Sequence, residues 1–235
     1  MKTAGALLLG IAIALGVAAA GYLIGNGWVA AKELERTVTV KGLSEREAPA
    51  DIAIWPLTFN VADNNLETLV KTVELQTQVI IAFLAEAGFE PAEITINPPA
   101  ITDKQAQNYG NDNVRFRYLA QTTITVYSRR IEATRAARTG LLDLGKAGIT
   151  IAQDNYDTRT QYLFEGLNLI KPEMIEEATR NARAVAQKFA EDSGSTLGKI
   201  RKARQGQFSI SDRDSNNPHI KKIRVVSTLE YYLAD

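Results

Sequence analysis

The sequence predicts an α+β protein: an N-terminal membrane helix followed by a mainly antiparallel sheet with three long helices packed on it. Three observations carry that expectation. An uncharged run of 22 residues stands at the front of the chain, from Ala4 to Gly25. Behind it, segments with period-two apolar spacing alternate with segments of helical spacing. Strand-like runs also follow one another as hairpin neighbours too often for an all-parallel sheet, which puts the helices on one face of antiparallel strands.

The opening run, "AGALLLGIAIALGVAAAGYLIG", spans roughly 33 Å as a helix at about 1.5 Å per residue, enough to cross a hydrocarbon core. Nine of its residues are Leu, Ile or Val, which favours insertion by a few kcal/mol, at about −0.3 to −0.6 each. Lys2 at one end and Tyr22 and Trp28 at the other occupy membrane-interface positions. Gly21 and Gly25 have the small-xxx-small spacing that lets two membrane helices approach. A cleaved signal peptide is the competing reading, with an Ala-x-Ala site at Ala18 to Ala20. The expected organisation is therefore an anchor or signal over residues 1–28, a stalk over 29–35 and an α+β domain over 36–235. The expected location is the inner membrane, single-pass, with the C-terminal domain in the periplasm. Signal cleavage would leave it soluble there, or associated with the outer membrane.

The elements follow in order. "RTVTVKG" places Val38 and Val40 on one strand face, "SEREAPAD" reads as a turn, and "DIAIWPLTFNV" is a second strand whose Pro56 demands an edge or a bulge. "NNLETLVKTVELQTQVIIAFLAEAG" is an amphipathic helix turning Leu66, Leu69, Val70, Val73, Ile80, Phe83 and Leu84 inward, capped by Asn64 or Asn65 and ended by Gly88. A strand with a polar loop precedes "FRYLAQTTITVYS", which has the strongest β-branched and aromatic content of any strand here. "RRIEATRAARTGLLDLGKAG" is the second helix, and "ITIAQDNYD" and "RTQYLFEG" are strands. Pro172 is placed to begin the third helix, with Ile175, Ala178, Ala182, Val185, Ala186, Phe189 and Ala190 on one face. "KIRKARQGQFSI" and "IKKIRVVSTLEYYL" close the chain as strands.

Composition removes most chemistry. There are 27 basic and 27 acidic residues, one His and no Cys. Balanced charge gives no bulk reason to expect nucleic acid as a partner. Absent cysteine excludes disulfides, thiolate metal sites and a thiol nucleophile. "DSGSTLGKI" (Asp192 to Ile200) imitates a phosphate-binding loop, but only three residues separate Gly194 from Gly198 and Ile200 follows Lys199. A helix precedes it and a strand follows, so no helix N-terminus faces a phosphate. Gly194 is expected to terminate the helix. No cofactor is expected, and no catalytic or metal-ligating set. The carboxylates Asp51, Asp103, Asp112, Asp154 and Asp157 keep a carboxylate-dependent hydrolase as an alternative.

"ATRNARAVAQKFAEDSGSTLGKI" resembles the closing signature of the SIMPL-domain family, and "TVTVKGLSEREAPADIAIWPLTFNV" resembles its opening strands, with Ala50 intervening between Pro49 and Asp51. The resemblance extends over about Arg36 to Leu233. It implies an α+β fold, a place in the bacterial envelope, large assemblies and a loosely defined stress role. It brings no catalytic residue.

Candidate contact surfaces remain. "TDKQAQNYGNDN" is a long polar loop whose Asp103, Gln107, Tyr109 and Asp112 are the candidate partner-binding residues. Arg129, Arg130, Arg135 and Arg138 crowd one helix with only Glu132 against them. "KIRK" with Arg204, and "HIKKIR", would form a basic ribbon if the last strands pair, though such charges also guard exposed edges. His219 falls in a polar loop and is expected to be exposed. The leading expectation is a non-enzymatic, membrane-tethered periplasmic protein that forms homo-oligomers, with a role in envelope stress. A lipid- or partner-binding module is the other alternative to it.

Overall fold

The structure, a computed structural model, describes residues 2–33, 36–107, 115–152 and 158–234. In chain order the elements are α1 (Lys2–Glu33), β1 (Thr37–Pro49), β2 (Ile52–Asp63), α2 (Leu66–Glu86), a 3-10 turn (Pro91–Glu93), β3 (Ile94–Ile96), β4 (Ala100–Asp103), α3 (Lys104–Gln107) and β5 (Tyr118–Ser128). Then come α4 (Ile131–Thr139), α5 (Leu141–Lys146), β6 (Ile151–Ala152), β7 (Gln161–Leu163), α6 (Leu167–Asp192), β8 (Thr196–Gln205), β9 (Ser209–Asp212) and β10 (Ile220–Ala234). A four-stranded sheet has the order β1-β10-β8, with β9 on β10; a six-stranded sheet has the order β3-β5-β2-β6, with β4 on β5 and β7 on β2. The α+β class holds, and the pairings of β10 with β8 and of β2 with β5, β6 and β7 are antiparallel.

The N-terminal membrane helix is corrected. Among the described residues, the helix long and apolar enough to cross a membrane is α2, Leu66–Glu86, inside the chain. Near the front, the apolar stretch found among the described residues is Ile13–Trp28, within α1. α2 itself packs on a sheet, burying Leu69, Val73, Ile80 and Leu84, so its apolarity serves a core. The membrane partner expected through residues 1–28 falls with that helix.

The chain divides into two compact units, one of residues 1–46, 170–209 and 224–235, the other of residues 47–169 and 210–223. In the first, α6 buries Met174, Ala178, Ala182, Ala186 and Ala190 at a strict spacing of four. Alanine lets helix and sheet backbones come close, and Gly42 of β1 lies directly against α6 at Ala178 and Ala182. Val185 and Phe189, expected on the buried face, are exposed instead. Glu45 and Arg46 gave "SEREAPAD" its turn-like look, yet β1 runs through them to Pro49. Their charges meet other elements: Arg46 pairs with Glu173 at 2.7 Å and Glu45 with Arg224 at 3.3 Å. Ser44 donates to Glu177 at 2.8 Å. Gly194, at φ 67°, ends α6, and the Ser195 N–H closes on the Ala190 carbonyl at 2.8 Å. It is the helix terminator, with β8 directly after it.

In the second unit, β2 pairs with β5 along its whole length, from Ala53 opposite Ser128 to Asp63 opposite Tyr118. On its other side β7 takes Ile52 to Ile54 and β6 takes Thr58 and Phe59. Pro56 falls in the gap between them, where its missing N–H interrupts no ladder bond on that side. Trp55, Leu57, Phe59, Ile124 and Val126 form the core with α2. Leu66 and Val70, expected inward, lie on the exposed side of α2. The second predicted helix is two, α4 and α5, broken at Gly140. α6 begins at Leu167, before Pro172, because the Asp51 carboxylate accepts the N–H groups of Glu165 at 2.6 Å and Gly166 at 2.9 Å and fixes the turn ahead of it.

Candidate ligand cleft

Three pieces of the second unit enclose a polar cleft. The floor is β7, whose register on β2 sets Tyr162 opposite Ala53 and buries its ring. One wall is the last turn of α4. Thr134 and Ala137 point into the core there, so Arg135 and Arg138 are turned outward on adjacent turns. The other wall is the segment from Asp212 to Lys221. Asp214 organises it: its Oδ1 accepts the N–H groups of Asn216 and Asn217, both at 2.9 Å, and the Asn217 side-chain amide at 3.0 Å. Arg213 beside it holds the Asp214 carboxyl below the usual carboxylate range, burial opposing. The Ala50 N–H donates to the His219 carbonyl at 2.8 Å, anchoring the far end of this wall.

The cleft has two adjoining lobes of about 600 and 290 Å³ that share Arg138, Tyr162, Asn216 and Pro218. Arg159 and Lys221 line the larger lobe, Arg135 and His219 the smaller. Lys221 is ion-paired with Asp212 and Arg135 with Glu132. Arg138 faces both lobes and, among the described residues, has no acidic partner. His219 is half-buried rather than exposed, edge-on to Tyr162 at 6.0 Å between ring centroids. Burial, then the Arg135 charge, lowers its pKa from the ordinary value, so the ring is neutral at pH 7. The arrangement can hold an anion; among the described residues that line it, no nucleophile is hydrogen-bonded to a base.

The residues singled out in the sequence lie as follows. Asp103 caps α3 through the N–H groups of Gln105 and Ala106 and grips Arg117 at 2.9 and 3.1 Å. Gln107 ends α3; Tyr109 and Asp112 lie outside the described residues. Asp51 serves the turn before α6, and Asp154 and Asp157 also lie outside the described residues. Arg129 and Arg130 stand ahead of α4 rather than on it and pair with Glu165 at 2.9 Å and with Glu93; on α4, Arg135 pairs with Glu132 and Arg138 has no acidic partner among the described residues. The two basic runs do not form one ribbon: β8 pairs with Ser227 to Ala234 of β10, past the run of residues 219–224, while Arg201 pairs with Glu230 at 2.8 Å and Lys221 with Asp212. Lys2 begins α1, Tyr22 and Trp28 are exposed on it, and Gly21 and Gly25 have open space around them. Sequence reasoning missed Arg159, Asp212 and the loop order imposed by Asp214. The Asp-x-Asn-Asn spacing of an Asx turn was the one signal that could have found the last.

Comparison with known protein families matches residues 38–225 to the family described as "SIMPL: Protein of unknown function (DUF541)". No curated protein matches the chain.

Proposed function

The chain belongs to the SIMPL family, described as of unknown function, and we propose that it is a non-catalytic, envelope-associated binding module whose cleft holds an anionic group, carboxylate or phosphate, presented by an envelope partner. One observation carries the reading: Arg138 faces both lobes of the cleft with no acidic partner among the described residues, beside Arg159 and Lys221. A guanidinium offers a planar fork of donors matched to two oxygens of such a group. Tyr162, Asn216 and Pro218 give the cleft fixed walls, so little ordering accompanies binding.

The test uses the full chain and three probes: inorganic phosphate, citrate, and vesicles containing phosphatidylglycerol. Calorimetry and vesicle flotation are expected to give saturable binding to at least one, weakening as salt rises. Arg138→Gln should weaken it by roughly 10-fold or more, the loss of a hydrogen bond to a charged group, with the melting temperature unchanged. Phosphate or citrate binding identifies a free anion; binding to vesicles alone identifies a lipid headgroup. Failure of all three probes, or unchanged affinity in Arg138→Gln, overturns the proposal.

A further inference from the structure

β8 bounds one side of the four-stranded sheet. It pairs with β10 and ends the strand order there. Every residue of it except Leu197 is exposed. Among the described residues no strand pairs with its outer edge, which therefore presents free backbone N–H and C=O groups, from about half of its residues in the antiparallel pattern. Lys199, Arg201, Lys202 and Arg204 stand along it, and no carboxylate does. Arg201 is engaged by Glu230 at 2.8 Å and lies over the Tyr232 ring. Lys199, Lys202 and Arg204 have no acidic partner among the described residues.

We infer that β8 is a docking edge for an extended acidic segment of a partner protein. Two demands define that occupant together. The row of backbone groups is matched only by another strand, since a nucleic acid or a lipid headgroup would use the cations and leave the N–H donors unpaired. The cations, in turn, select which strand. Lys202 and Arg204 are two residues apart, so they share a face, and carboxylates at alternate positions of an added strand would stand beside them. A second β8 would bring like charges together, which disfavours pairing of this edge with itself. The lysines thus act as a filter: they repel a copy of the same edge and admit an acidic one. The inference uses no residue of the cleft and stands or falls separately from it.

The probe is a ten-residue peptide alternating Val and Glu, compared with its Val–Lys counterpart and with a Val–Glu peptide N-methylated at alternate positions, all against the full chain. The acidic peptide is expected to bind saturably by fluorescence anisotropy, to weaken with salt, and to slow hydrogen exchange at the amides of residues 196–205. The triple variant Lys199→Glu/Lys202→Glu/Arg204→Glu should bind it roughly 3- to 100-fold less well, from the loss of three exposed ion pairs, and should prefer the Val–Lys peptide. If that variant does not fold, the N-methylated peptide still decides with the unaltered chain, because it keeps the charges and removes the backbone donors. Equal binding of the N-methylated and parent peptides would reduce β8 to a charged surface and sink the idea. So would failure of the acidic peptide to bind, or its displacement by single-stranded nucleic acid or anionic vesicles at lower concentration.

Discussion

Gly42→Ala tests the closest approach in the first unit. A Cβ at that position would lie 1.8 Å from the Ala178 carbonyl oxygen, 2.4 Å from the Ala182 nitrogen and 2.8 Å from the Ala182 Cβ. Real Cβ atoms essentially never come within 3.0 Å of a neighbour, so β1 and α6 would have to part by more than an ångström. Two of the three obstacles are backbone atoms, which no rotamer change can move aside. Overpacking of this kind costs about 1–3 kcal/mol. Parting also stretches the Ser44–Glu177 bond of 2.8 Å and the Asn181–Leu43 carbonyl bond of 2.9 Å, at about 1 kcal/mol each. The expected loss is about 3–5 kcal/mol, a fall in melting temperature of roughly 6–20 °C at about 2–4 °C per kcal/mol for a chain of this size. Circular dichroism melts of the full chain read it directly. Gly145→Ala is the control, since a Cβ there meets nothing within 4 Å; it should be neutral or gain up to ~1 kcal/mol from helix propensity. Ala182→Gly added to Gly42→Ala should not rescue stability, because the carbonyl of Ala178 remains. A Gly42→Ala melt within about 2 °C of the parent would refute this account of the interface.

Two further outcomes follow from buried polar groups. Among the described residues, Thr122 Oγ1 is buried with no hydrogen-bond partner, so Thr122→Val should stabilise the chain by about 1 kcal/mol, because it removes an unsatisfied hydroxyl while keeping the shape; a lowered melting temperature would mean that the hydroxyl is satisfied. His219 is pushed down by burial first and by Arg135 and Arg213 next, with Glu132 and Asp214 opposing. Its stabilisation is therefore full above the ordinary value of 6.5 and is lost as pH falls from 6.5 through the folded value, where the unfolded chain takes up the proton first. An NMR titration of this sole imidazole should show a midpoint below 6.5 that rises when phosphate fills the cleft, and a midpoint at or above 6.5 would contradict its packing against Tyr162.

The elements that were legible in the sequence are those whose pattern is local. The strand expected over Phe116–Ser128 forms from Tyr118, with Ala120, Thr122, Ile124, Val126 and Ser128 buried at alternate positions, and Leu69, Val73, Ile80 and Leu84 of the expected helical stripe are buried. Gly88 and Gly194 carry the positive φ that their positions after helices implied. The boundaries that went wrong were set by remote partners. Nothing within "SEREAPAD" says that Ser44 will bond Glu177 or Arg46 will meet Glu173, 133 and 127 residues away, so a strand looked like a turn. Nothing near Pro172 says that Asp51, over a hundred residues earlier, will fix the turn that starts α6 upstream of it. Val185 and Phe189 follow the same helical spacing as the buried alanines, yet both are exposed. The helix buries its alanines instead, since the close approach of Gly42 leaves room for nothing longer.

Charge explains why the site was less legible than the fold. A net charge of zero argued against an electrostatic partner, and that argument assumes that charges of both signs are spread evenly. They are not. Glu45, Glu93, Glu165, Glu173 and Glu230 are all spent on arginines, and Asp51, Asp103 and Asp214 are spent on backbone N–H groups. Each carboxylate so used is withdrawn from neutralising some other cation. Among the described residues, the cations left without an acidic partner include Arg138 at the cleft and Lys199, Lys202 and Arg204 on β8, two places where such charge gathers within a neutral chain. Composition sums over these pairings and cannot reveal the remainder. The useful quantity is the list of cations whose counter-charges have been claimed elsewhere, and it emerges only when the strand register and the helix faces decide who meets whom.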